Sequence, residues 1–153
     1  MLKSSQKAAA SLAAVSVVLL AACTAGQAGD AFDAAKPVAK PAAAVPWVDV
    51  NEAIRFGDAF GDRATGPQGT FGTFPGNFNT PVHTHTGAYH AVVLKGEMTN
   101  PFGAEGEANP PTMGPGSYWY VPAGMAHATA CVSAEPCMFY MHAGGAFDFT
   151  PVE

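Results

Sequence analysis

All five histidines of this 153-residue chain lie in its second half, and four of them, His83, His85, His90 and His127, are candidates to act together. In an extended strand alternate side chains share a face, so His83 and His85 project to the same side. His90 is in phase with Val92 and Leu94, and if those two fill an interior, His90 joins them. His127 shares its parity with Thr129 and Cys131. Neutral imidazole is a common ligand for first-row transition metals, and histidines this concentrated need a compensating partner when buried. The expectation is one divalent transition metal on His83, His85, His90 and His127, with zinc, iron or copper as candidates. Imidazole nitrogens impose no hard-oxygen preference, so manganese is not expected. His90 has a second reading, as a residue beside a three-histidine centre or facing the bound molecule. His142 falls at the end of a strand pattern before Gly144 and Gly145 and is read as a surface histidine. No catalytic group beyond the ligands is identified.

Cys131 and Cys137 flank Val-Ser-Ala-Glu-Pro, a connection short enough to place two adjacent strands in cross-strand register. The expectation is a disulfide, with Cys131 as a thiolate ligand or redox group the competing reading.

The elements that must position these residues read as short strands. From Trp47 onward the chain holds 15 of its 17 glycines and 10 of its 13 prolines, which places turns between short aromatic and β-branched runs. Residues 69–75 alternate small with aromatic, residues 82–85 are extended, and residues 89–99 form an apolar strand broken at Lys95-Gly96-Glu97. Residues 102–115 read as a loop, and residues 116–121, 126–132 and 137–142 as three more strands. Residues 47–60 have a mixed period that fits either a strand or a helical turn. The pattern predicts an all-β fold of one domain, a closed or sandwich-like structure over residues 47–153. Tyr118, Trp119, Tyr120, Phe139 and Tyr140 are expected in its core and rim, those facing His127 lining a pocket.

Residues 1–22 carry Lys3 and Lys7 ahead of an apolar run too short to span a bilayer comfortably, the pattern of a signal peptide. The run ends in Leu20-Ala21-Ala22-Cys23, which resembles the lipobox of bacterial lipoproteins and implies lipidation of Cys23. Residues 23–46 are Ala- and Pro-rich and read as a tether of up to about 70 Å. The expected location is therefore periplasmic, anchored to a bacterial membrane only through the lipid. Removing Lys3 and Lys7 takes the formal charge from -5 to -7. Arg55, Arg63 and Lys95 are the only basic residues from Trp47 onward, too few to displace counterions from a phosphate backbone, which argues against nucleic acid as a partner.

Two motifs give the chain its resemblance to the cupin superfamily. The first pattern has a glycine, a His-x-His pair, a glutamate four or five residues on and a closing glycine, offered here as Gly76, His83-Thr84-His85, His90 and Gly96. The second is matched by Gly116, Pro122, Gly124 and His127. Gly76 sits one residue early, His90 replaces the glutamate, and Cys131 stands where an asparagine often closes the second motif. The wider text is similar to bacterial cupins labelled as domains of unknown function. The resemblance implies a jelly-roll β-barrel, a bound metal, and pairing of strands into a homodimer. Neutral ligands alone leave the +2 charge uncompensated, which favours an anionic or oxygen-bearing small molecule. All-histidine centres in this superfamily include dioxygenases acting on diketones or thiols, so an oxygenase-type oxidoreductase is one expectation. A non-catalytic module that binds or senses a small ligand or the metal is another, and a closed structural zinc site a third.

Overall fold

The computed structural model describes residues 32–153. The signal peptide, Cys23 and the first part of the tether lie outside the described residues. A 3-10 turn at Ala42–Ala44 leads into eleven strands: β1 (Trp47–Asp49), β2 (Arg55–Gly61), β3 (Gln68–Phe74), β4 (Phe78–Asn79), β5 (His83–Thr84), β6 (Tyr89–Lys95), β7 (Met98–Thr99), β8 (Tyr118–Val121), β9 (Ala130–Cys131), β10 (Cys137–Ala143) and β11 (Thr150–Pro151). A six-stranded sheet in the order β1-β2-β3-β10-β6-β8 forms one wall, with a three-stranded β4-β9-β7 sheet and the β11-β5 pair as the others. Every pairing is antiparallel. The three sheets do not merge into one continuous barrel, and their arrangement is the cupin jelly roll.

The mixed pattern of residues 47–60 resolves into two strands, β1 and β2, paired with each other. Packing also begins upstream of Trp47: Val45 is buried and Phe32 rests on Phe60 with ring centroids 4.7 Å apart.

Alternation determines which side chains meet inside. In β10, Cys137, Phe139, Met141 and Ala143 are buried, and in β8, Trp119 and Val121. Burying a side chain of this size contributes about 1.5–3 kcal/mol. Gly72 lies opposite Phe139 in the β3–β10 register, and a Cβ there would collide with the Phe139 ring. The absence of a side chain at Gly72 is what lets that ring reach the centre of the core.

Strand β6 corrects the expected phase of His90. Tyr89, Ala91 and Val93 face inward, while His90 and Leu94 are exposed. Both parities of Tyr-His-Ala-Val-Val-Leu are largely apolar, so alternation within β6 does not say which face is inner. Its neighbours decide: Tyr89 pairs with Val121 and Ala143, and Ala91 with Trp119 and Met141, all buried.

The disulfide forms as expected. Cys131 and Cys137 are bridged with Cα atoms 5.7 Å apart, but the two strands are not in cross-strand register: β9 pairs with β4 and β7 and β10 with β3 and β6, so the bond ties one sheet to another. That bond removes Cys131 from the free thiolates.

A candidate metal centre in an aromatic cavity

His83 and His127 are fixed to each other through the backbone. Each amide donates to the other's carbonyl, at 2.9 and 3.0 Å, so their side chains leave from one antiparallel bridge toward the same side. Two residues on, His85 follows on the same face of its segment. Gly124 adopts φ +72° in the turn before His127, and its amide donates to the His85 carbonyl at 2.8 Å. A left-handed backbone is natural for glycine, and here it delivers the second motif onto the first. All three histidines are buried, and one nitrogen from each lies within 4.8 Å of the others.

The free nitrogen on each ring follows from its other partner. His83 Nδ1 faces the Pro81 carbonyl at 2.8 Å, His127 Nδ1 the Met125 carbonyl at 3.0 Å, and His85 Nδ1 the Asp148 carbonyl. A carbonyl only accepts, so each Nδ1 carries the proton and each Nε2 presents a bare lone pair. His85 Nε2 is buried without any hydrogen-bond partner. Burial lowers the pKa of His83 to about 4, with the neighbouring His127 and His85 adding to the effect. Desolvation also lowers those of His85 and His127. Three neutral imidazoles with converging lone pairs, oriented by backbone carbonyls, fit a divalent transition metal.

A segment that the motifs do not include completes the site. Phe147, Asp148 and Phe149 cross over the His-x-His pair after Gly144 and Gly145. Phe147 stacks on His85 and Phe149 on His83, each at 4.2 Å between centroids. The Asp148 carboxylate accepts from the Thr86 amide at 2.7 Å and from the Thr86 hydroxyl, and these bonds hold it below the usual carboxylate range. Strand β11 continues the strap by pairing with β5. The alternation Phe-Asp-Phe-Thr-Pro was the available sequence signal for this strand.

The structure brings together His83, His85 and His127 and leaves His90 out. His90 shares a 2.6 Å hydrogen bond with the Tyr118 hydroxyl and pairs with the exposed His142 across β6 and β10. The inward place belongs to Tyr89, four residues after His85, which is one of the two spacings the first cupin motif allows for its fourth ligand. Its hydroxyl lies 3.2 Å from His127 Nε2 and receives the Trp119 indole N–H at 3.2 Å. Burial pushes its pKa up to about 12, moderated by hydrogen bonds with Trp119 and Thr129.

His83 and His85 open on a cavity of about 440 Å³ whose walls include Ile54, Phe56, Trp119, Phe139 and Phe149. Its two charged side chains are engaged elsewhere: Arg63 pairs with Asp58 at 3.1 Å and lies over the Phe56 ring, and Asp148 is held by Thr86. The space therefore suits a largely apolar molecule carrying one polar end.

Solved structures share this architecture. An RmlC-like cupin from Shewanella frigidimarina is 13% identical, with a TM-score of 0.58 over 72% of this chain and 93% of that one. The polyketide cyclase RemF from Streptomyces resistomycificus is 21% identical, with a TM-score of 0.62 over 77% and 85%. KdgF from Halomonas sp. is 14% identical, with a TM-score of 0.52 over 64% and 86%. At these identities the likeness is one of fold. No curated protein matches the sequence significantly. Residues 44–153 match the profile of a domain of unknown function, DUF4437, and the chain is thus a member of the DUF4437 family, built on the cupin fold.

Proposed function

We propose that this protein binds one divalent transition metal, zinc, iron or copper, on His83, His85 and His127, and holds a small oxygen-bearing molecule beside it. The observation that carries this reading is the common orientation of the three imidazoles, each with Nδ1 on a backbone carbonyl and an unprotonated Nε2 turned to the shared centre. A bound divalent ion supplies Lewis acidity. The protein's own part is to keep three neutral nitrogens converged and to surround the partner molecule with apolar walls. No carboxylate stands in the three-histidine set, so the ion's charge favours an anionic partner. As an enzyme the protein is an oxygenase-type oxidoreductase. We further propose export through residues 1–22 and anchoring at Cys23 in the periplasm; the Cys131–Cys137 bridge suits an oxidising compartment.

Cobalt(II) or zinc titration of the purified protein is expected to saturate at one equivalent, and His85→Ala to lose tight binding. Full stoichiometry in His85→Ala would sink the metal reading. Oxygen uptake by the iron- or copper-loaded protein with diketones, thiols and catechols tests the chemistry. The engagement of Arg63 and Asp148 in structural contacts favours a second reading, a non-catalytic binding pocket. Ligand uptake without oxygen consumption would establish that reading.

A further inference from the structure

Tyr89 occupies the inward position at which the first cupin motif allows a carboxylate ligand. A neutral phenol there does different chemistry. The indole N–H of Trp119 can only donate, so at 3.2 Å the Tyr89 oxygen must accept it. The hydroxyl proton is thereby directed away from Trp119, and His127 Nε2 lies 3.2 Å from the oxygen. That nitrogen has one lone pair. A metal ion and the Tyr89 proton compete for it, and an ion that takes it leaves the proton without an acceptor in a buried, aromatic surrounding. An unsatisfied buried donor is costly, so the hydroxyl must find another acceptor.

We propose that Tyr89 is a specificity-determining residue that donates its hydroxyl proton to the atom a bound molecule presents to the metal, selecting anionic oxygen over sulfur. This rests on the metal reading of His83, His85 and His127. It narrows the partner to a carboxylate or enolate on an apolar body, since the cavity around Tyr89 is walled by Phe56, Phe139 and Phe149. A charged oxygen is a strong acceptor and sulfur a weak one. Thr129 is the competing acceptor: it lines the same cavity as Tyr89, and its own hydroxyl donates to Asn100 Oδ1 at 2.7 Å.

The test uses the cobalt(II)-loaded protein with benzoate and thiophenolate, two probes with one aromatic body and different donor atoms. Tyr89→Phe is expected to keep one cobalt per chain, to bind benzoate about tenfold more weakly and to bind thiophenolate within threefold of the parent. Benzoate affinity within twofold of the parent means that the proton turns to Thr129, and overturns the assignment. Equal losses for both probes mean a merely structural role and overturn it as well. A tyrosinate charge-transfer band in the copper(II)-loaded parent would make Tyr89 a ligand and also overturn it. Failure of the parent to bind cobalt at all counts instead against the metal reading. Should Tyr89→Phe not fold, replacement of the four tyrosines by 3-fluorotyrosine makes the hydroxyl a stronger donor. Benzoate must then bind more tightly, and an unchanged affinity overturns the proposal.

Discussion

The inner and outer histidines of this fold share a side chain and little else. His83, His85 and His127 are buried, with each Nδ1 on a backbone carbonyl. His90 and His142 are exposed neighbours on adjacent strands, and His90 spends its Nδ1 on a tyrosine hydroxyl. The inner rings are also clamped by Phe147 and Phe149, whereas His142 meets Phe60 at 6.0 Å and stays open to solvent. The contrast teaches that a metal site is made by the partner of the second nitrogen. A carbonyl at Nδ1 fixes the tautomer, orients the ring and leaves Nε2 as an unprotonated lone pair.

Acid should separate the two groups most. The folded pKa of His83 is lowered from 6.5 to about 4, and those of His85 and His127 are lowered too. Between these values the unfolded chain binds more protons than the folded one, so stability must fall as pH drops through about 6.5 to 4. Urea unfolding in the presence of a chelator, run at pH 7.5 and 4.5, should show a lower midpoint in acid. His83→Asn should flatten that dependence, and an equally steep loss in the variant would detach it from the inner histidines.

A smaller effect is expected from the clamp. Phe147→Ala removes the ring stacked on His85 while leaving the ligand itself, and metal affinity should weaken about tenfold, as for other groups that orient ligands. Competition with a chromophoric chelator measures this directly. Parent-like affinity would mean that the Asp148 carbonyl alone orients His85.

The smallest effect belongs to the outer pair. His90→Ala and His142→Ala, singly or together, should leave one metal per chain and an affinity within twofold of the parent. A drop in stoichiometry in either variant would return His90 to the ligand set and dissolve the contrast.

Much of this was legible in the chain itself. Glycine and proline spacing announced an all-β domain, the His-x-His pair and the Gly116 to His127 motif announced a cupin, and the short Cys131–Cys137 connection announced a disulfide, though not that it would join two sheets. These are local signals, because turn chemistry, strand alternation and ring closure over a few residues depend on near neighbours. The face of β6 was a different matter. With Val92, Val93 and Leu94 apolar on both parities, only the buried Trp119, Val121, Met141 and Ala143 on the flanking strands turn Tyr89 inward and His90 outward. The strap over the site was equally hidden, since the Asp148 carbonyl reaches His85 across 63 residues. The chain by itself determined which residues could bind a metal. Tertiary packing decided which of them share an interior, because facing is a property of what a strand packs against.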